Sequence, residues 1–439
     1  MTSRSQKSDI AAGEYATVAL PVGVHETFTY AVPAELRDQV RLGTRVEVPL
    51  ATKRVTGFVV GLDGKPPRDI AVKPIRGVLD SGESALIPEI VELCRWAAEY
   101  YIAPLGLMLR VALPANMSAR AKPGDELRDA VGVRYDRWAV LENEQGAAKP
   151  AQSKVVAQLR DGAPPVKALD ASDSVIRTLA KNGIIRIERR VRRHTLDAFL
   201  TGNTKVAEFT YSKEQQNAID AIKSSFGTFA PFLLEGVTGS GKTEVYIEVM
   251  REVVRRGEQA LLLVPEISLT PVFASRLKER FGDRIAILHS NLSASERYDQ
   301  WWRAHRGEVD VAIGPRSALF TPFQKLGVIV VDEEGDGAYK QDVTPRYNAR
   351  DLAVVRAQLR KIPVILGSAT PSLESRENAA RGKYTLLRMT QRVEERPLPQ
   401  ADVIDLRRER AEKEDRGFVI FSDSLKPFQI TSTIAVSKA

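Results

Sequence analysis

The stretch Gly236-Val237-Thr238-Gly239-Ser240-Gly241-Lys242-Thr243 constrains this chain more than any other. It follows an apolar run from Pro231 to Glu235 and opens a segment in which Tyr246, Val249, Met250 and Val253 recur at helical spacing before Gly257. A glycine-rich turn between a buried strand and an amphipathic helix makes a phosphate cradle. Its glycines let backbone N–H groups converge on phosphate oxygens, and the helix N-terminus adds its positive end. Lys242 places a cation against the outer phosphates, and the Thr243 hydroxyl can ligate Mg²⁺. The string therefore predicts a nucleoside triphosphate site on an α/β parallel sheet, with Gly236 through Thr243 as its binding residues.

The flanking sequence has the alternation such a sheet needs. Apolar runs at Ala260 to Val264, Val309 to Ile313, Val328 to Val331 and Val364 to Leu366 alternate with helical stretches. Thr270-Pro271 reads as an N-cap followed by proline at the first helical position, and Ser293 with Glu296 as a capping box. The fourth run in this lobe ends in Asp332-Glu333-Glu334, three acids that alone would be an ordinary solvated strand end. Beyond a complete phosphate loop they become partners of Lys242, with Asp332 assigned to Mg²⁺ and Glu333 to the attacking water. Lys242, Asp332 and Glu333 are thus the candidate catalytic set. Ser368 and Thr370, after another apolar strand, are candidates for coupling nucleotide state to the rest of the lobe, although such hydroxyls commonly just cap turns. Between Asp336 and Arg350, Tyr339, Lys340, Arg346 and Tyr347 interleave aromatic rings with cations, a pattern that can stack bases and contact phosphates.

With 64 Lys and Arg against 56 Asp and Glu the chain carries a net +8, which suits a polyanionic partner. Cys94 is the single cysteine and there are four histidines, so neither an internal disulfide nor a cysteine-rich zinc cluster can be built. No apolar stretch is long enough for a membrane span, Met1 to Gly13 lacks the apolar core of a signal peptide, and a cytoplasmic location is expected. Val18 to Val60 reads as a small β domain, and a helix from Ile90 to Tyr100 is expected to close its core. Residues 116–150 read as a linker or domain edge. Helices near Val155 to Leu159 and Asp173 to Lys181 precede a strand, Ile184 to Val191, marked by Arg186, Arg189, Arg190, Arg192 and Arg193. This is either a winged-helix module or a basic strand on a helical spacer.

At this point the motifs resemble the PriA family of primosomal replication-restart helicases, in helicase superfamily 2. The strings that carry the resemblance include Val18-Ala-Leu-Pro-Val22, Phe28-Thr-Tyr30, Gly43-Thr-Arg-Val-Glu-Val-Pro49, Lys73-Pro-Ile-Arg-Gly-Val-Leu-Asp80 and Trp96-Ala-Ala-Glu-Tyr-Tyr101. Further along come Glu235 to Tyr246, Val264-Pro-Glu-Ile-Ser-Leu269, Gly314-Pro-Arg-Ser-Ala318, Tyr339-Lys-Gln341 and Gly367-Ser-Ala-Thr-Pro-Ser372.

The resemblance implies a RecA-like ATP-binding lobe over 204–385, a β-rich 3′-end DNA-binding domain over 1–115, a winged-helix module within 116–203 and an incomplete tail over 386–439. It implies ATP and Mg²⁺ as cofactors and branched, fork-like DNA with a 3′ nascent end as ligand. Primosome proteins and single-stranded DNA-binding protein are the implied partners, and the family's zinc lacks its cysteine ligands here. Phe28 and Lys73 would line the 3′-end pocket, and Gln215 would contact adenine. Gly335 stands where the family commonly has a histidine, Asn348 replaces another, Thr29 replaces an aspartate found in some members, and Ala51 replaces a glycine. The resemblance stops after Leu425, so the chain is expected to be truncated relative to the family and to bind nucleotide while hydrolysing it poorly. The competing reading is a non-catalytic fork or 3′-end binding protein with a vestigial or switch-only ATP site.

Overall fold

The computed structural model describes residues 14–62, 71–80, 83–114, 117, 135–143, 149–160, 162–191, 210–290 and 292–392. It begins with β1 (Tyr15–Ala19), β2 (Phe28–Ala31), β3 (Arg45–Leu50), β4 (Lys53–Gly61) and β5 (Gly77–Val78). These form an antiparallel sheet in the order β2-β1-β4-β3-β5. Val18, Val46, Val48, Val59 and Ile75 make its core. The Arg45 side chain is 1% exposed and its charge is met by Asp80, which accepts from Nε at 2.8 Å and from the Arg45 and Ala85 amides at 2.7 and 3.1 Å.

Two helices follow, α1 (Pro88–Tyr100) and α2 (Leu105–Val111). The sequence predicts that the first closes the β-domain core; it does pack on Ala19, Phe58 and Val60 of that domain, but its apolar face reaches further. Ile90, Leu93, Cys94 and Ala97 enter a cluster that also holds Leu233, Leu261, Leu352 and Ala353 of the lobe. Helical periodicity fixes which face is buried but not what covers it. The two helices thus bridge the N-terminal domain to the lobe through one apolar cluster, while the sheet keeps a core of its own.

Of the two readings of 116–150, the domain edge fits Tyr135–Leu141, which is β6. That strand pairs antiparallel with β7 (Ile185–Val191), Leu141 opposite Ile185. Between them lie α3 (Pro150–Leu159) and α4 (Asp173–Lys181), and Ala139, Val155, Leu159, Ile176, Leu179 and Ile185 make a separate core. Arg186 is held by Glu142 at 2.6 Å and Glu188 at 2.8 Å, so its charge is locally balanced. The side chains of Arg189 and Arg190, and all of Arg192 and Arg193, lie outside the described residues.

The lobe starts with α5 (Lys213–Lys223), β8 (Ala230–Gly236), α6 (Lys242–Arg255), β9 (Gln259–Leu263) and α7 (Pro271–Phe281). It continues through β10 (Ile285–Ile287), α8 (Ala294–His305), β11 (Val311–Gly314), β12 (Leu326–Asp332) and the short hairpin β13 (Lys340–Gln341) and β14 (Tyr347–Asn348). It closes with α9 (Ala349–Arg360), β15 (Pro363–Ser368), α10 (Leu373–Ala380) and β16 (Thr385–Met389). Seven of these strands form a parallel sheet in the order β10-β11-β9-β12-β15-β8-β16. Both faces are covered, which is why every residue of β9 is buried and its sequence is a continuous run rather than an alternation. β16 crosses the boundary at 385 and pairs with β8 to Met389. The chain divides after Gln391, and the expected tail from 393 onward lies outside the described residues.

Candidate nucleotide site and the neighbouring cleft

Strands β12, β15 and β8 are far apart in sequence but adjacent in the sheet, so the three loops at their C-terminal ends meet. Parallel α/β sheets bind ligands at that edge. From β8 comes the phosphate loop, in which Gly239 and Gly241 both have φ of 83°, a left-handed backbone that favours glycine. A Cβ at Gly236 would stand 2.7 Å from Ser240 Oγ, so that position too is confined to glycine. Val237 and Thr238 span the turn, and Lys242 opens α6 with Gly241 as its N-cap. Lys242 Nζ donates to the Gly236 carbonyl at 2.8 Å and lies 3.9 Å from Glu333. The Ser240 hydroxyl is buried with no hydrogen-bond partner among the described residues, which leaves an orphaned polar group inside a loop shaped for oxyanions.

Gln215 is 1% exposed. Its Oε1 accepts from the Ser212 amide at 2.8 Å, and its Nε2 donates to the Ser240 carbonyl at 2.9 Å. The side chain ties the start of α5 to the phosphate loop.

The acid triplet separates into distinct environments. The Asp332 carboxylate accepts from the Tyr246 hydroxyl at 3.0 Å. Glu333 has φ of 47°, a strained conformation for a non-glycine residue, and accepts from Ser368 Oγ at 3.1 Å. Glu334 is turned inward, accepting from the Ser372 amide at 2.7 Å, Ser375 Oγ at 2.9 Å and Arg350 Nη1 at 3.2 Å. Ser368 also accepts from the Thr370 amide at 3.0 Å, which leaves the exposed Thr370 side chain at the rim. A Cβ at Gly335 would be 3.2 Å from the Thr370 carbonyl, so this position touches the same loop. The Asp332 carboxylate at the end of β12, and the Thr243 hydroxyl in the first turn of α6, are oxygen donors of the kind that Mg²⁺ uses together with nucleotide phosphates. Among the described residues no group of three or more His, Cys, Asp or Glu is arranged as a metal cage.

Burial first, and then the Glu333 charge, push the Asp332 carboxyl up to about 6, against the lowering influence of Tyr246 and Lys242. This lies above the ~3.9 of an unfolded aspartate, so above about pH 6 both states are ionised and folding carries the whole cost, roughly 2–3 kcal/mol. Below about pH 4 both are protonated and the cost is gone. Asp332→Asn is therefore expected to be more stable than the parent at pH 8, with the advantage shrinking between pH 6 and 4. Melting curves across that range check this, and an unchanged or lower melting temperature at pH 8 would refute it.

Beside this edge lies a cleft of about 650 Å³ between the N-terminal domain and the lobe. Arg110, Leu113 and Pro114 wall one side; Pro265, His289, Arg297 and Arg316 wall the other, with Tyr339, Gln341 and Tyr347 at its end. The hairpin corrects part of the sequence reading. Tyr339 is 1% exposed and Tyr347 4%, and Tyr347 packs edge-on against Phe320, so neither offers an open ring face for a base. Lys340 and Arg346 are exposed, while the Tyr339 hydroxyl donates to the Asp332 carbonyl at 2.5 Å. In the N-terminal sheet, Lys73 is exposed and its carbonyl accepts from Ala31 at 3.0 Å, which sets it against the strand that Phe28 begins.

Sequence reasoning missed Tyr246, Glu334 and Arg350 as members of this site. Tyr246 is hidden by periodicity, since it falls on the apolar face of α6. The adjacency of Glu334 to two better acids hides its different role, and nothing in the spacing of Arg350 points back to Glu334.

The model of the 3′DNA-binding domain (3′BD) matches residues 17–114, and that of the DEAD/DEAH box helicases matches 212–379. Fold and site thus define a helicase lobe preceded by a 3′ DNA-binding domain. The chain is 38% identical over 430 residues to the replication restart protein PriA of Chlamydia muridarum, covering 94% of this chain and 56% of that protein. It is 31% identical over 458 residues to PriA of Bacillus subtilis, covering 88% and 56%, and 36% identical over 406 residues to PriA of Haemophilus influenzae, covering 89% and 54%. The chain is thus similar to PriA proteins over most of its own length, and it spans about half the length of these relatives (54–56%). No helix among the described residues is long and apolar enough to cross a membrane.

Proposed function

We propose that this chain supplies the 3′-end DNA-binding domain and the first ATP-binding lobe of a replication-restart DNA helicase. Its ligands are Mg-ATP and branched, fork-like DNA with a 3′ nascent end. Primosome proteins and single-stranded DNA-binding protein are the partners that kinship supplies. Lys242 and Thr243 bind the phosphates and Mg²⁺, Asp332 holds the metal's water shell, Glu333 orients the attacking water, and Ser368 fixes Glu333. With Mg²⁺ bound, the charge developing on the phosphates is partly neutralised.

One observation carries the DNA-dependent part of this reading. Tyr339 lines the inter-domain cleft and is hydrogen-bonded to the backbone of Asp332, so cleft and nucleotide edge share a residue. The cleft's arginines suit a phosphate backbone, and Lys340 and Arg346 extend that charge along the hairpin.

Binding of a forked duplex with a recessed 3′ end is expected to weaken log-linearly with salt, because each phosphate contact releases a counterion. Replacing both Lys340 and Arg346 with alanine is expected to lower that slope by about two. Fluorescence anisotropy over a salt series measures it. An unaltered slope would remove the hairpin from the DNA path, and salt-insensitive binding by the parent would remove the DNA reading itself.

A further inference from the structure

Tyr246 lies on α6 one turn beyond Lys242, on the same helix face. Its ring is 1% exposed, and its hydroxyl reaches across the sheet to donate to Asp332 Oδ1 at 3.0 Å. The strand it crosses is β15, which lies between β8 and β12. There Gly367 pairs in register with Asp332 on one side and Leu234 on the other. A Cβ at Gly367 would fall 1.7 Å from the Tyr246 hydroxyl and 2.8 Å from its Cζ. The intervening strand is therefore notched where the hydroxyl passes. A buried tyrosine needs some acceptor, and a nearby carbonyl would satisfy it. This one instead uses the acid at the nucleotide edge and depends on a glycine in a third sequence segment to do so.

We propose that Tyr246 is a positioning residue of the nucleotide–Mg²⁺ site, its hydroxyl fixing one oxygen of Asp332 and thereby the direction of the other, with Gly367 as the opening that admits it. The proposal rests on the reading of Asp332 as the residue that serves Mg²⁺. Groups that orient a metal-serving carboxylate act on metal affinity without touching the metal. Tyr246 has that effect on Mg²⁺ without contact with the phosphates.

The test is binding of a fluorescent ADP by the 439-residue chain over a Mg²⁺ series, with an EDTA arm. Tyr246→Phe, which keeps the ring and its packing, is expected to raise the Mg²⁺ midpoint about tenfold while leaving Mg²⁺-free affinity and the melting temperature nearly unchanged. Gly367→Ala is expected to raise the midpoint in the parent and to add little to it once Tyr246→Phe is present, although its loss of melting temperature persists there because the new Cβ would still stand 2.8 Å from the ring's Cζ. If Asp332→Ala shifts the midpoint and Tyr246→Phe does not, the positioning role is overturned. If Asp332→Ala leaves the midpoint unmoved, the assignment of Asp332 fails and the proposal with it. An equal loss of affinity with and without Mg²⁺ in Tyr246→Phe would mark a packing role only and also overturn it.

Discussion

Lys242→Ala is expected to weaken nucleotide binding by about 10- to 100-fold, since a hydrogen bond to a charged group contributes roughly 1.5–3 kcal/mol. In the structure Lys242 is 9% exposed, its ammonium held by the Gly236 carbonyl at 2.8 Å and set 3.9 Å from Glu333. The ammonium already sits at the mouth of the phosphate loop, so a bound phosphate would gain a cation with little reorganisation. The substitution leaves the left-handed glycines and the Gln215 tether in place, and the loop should keep its shape. Calorimetric titration with ADP and with a non-hydrolysable ATP analogue measures the loss, with fork binding in the same variant as the control. Undiminished nucleotide affinity alongside a normal melting temperature would contradict the phosphate-loop assignment.

The second large effect lies away from the nucleotide. Arg356 on α9 is fully buried, and its Nε donates to Glu89 of α1 at 2.7 Å. It also donates to the carbonyls of Leu319 and of Thr321, the latter at 2.8 Å, and Glu89 takes a further contact from Arg360 at 3.2 Å. Removing one partner of a buried pair strands the other charge in an apolar surrounding and typically costs about 3–5 kcal/mol. Arg356→Ala is expected to destabilise the chain by that much, and Glu89→Ala by somewhat less because Arg356 retains its carbonyls. Replacing the pair with Glu89→Leu and Arg356→Met is expected to recover part of the loss, since an apolar pair avoids the desolvation of both ions but leaves the Leu319 and Thr321 carbonyls without this donor. Denaturant unfolding of the three variants tests this. Additive losses in the double variant would show that the two charges do not act as a pair.

This ion pair also shows where sequence reading reached its limit. Ile90, Leu93, Cys94 and Ala97 identify an amphipathic helix, and the natural partner for it in sequence is the β domain just before it. In the folded chain that face meets α9, more than two hundred and fifty residues away, as the Arg356–Glu89 separation of 267 positions records. Tyr339 and Tyr347 were legible as aromatic residues among cations, but a ring that could stack a base and one that fills a core have the same local sequence. Only burial separates them, and it leaves Lys340 and Arg346 as the exposed members of the hairpin.

The phosphate loop, the acids at the end of β12 and the strand–helix alternation of the lobe are all legible in the residues. Each is local: glycine spacing, an apolar run and a cap act within one turn or strand. The tertiary structure decided which ends of which strands meet. The order β12-β15-β8 brings Asp332, Ser368 and Lys242 to one edge, turns Glu334 inward to Arg350 and Ser372, and lets Tyr246 reach Asp332 through the gap at Gly367. Strand order is set by how crossovers pack on both sheet faces, a property of the assembled core that no single segment carries.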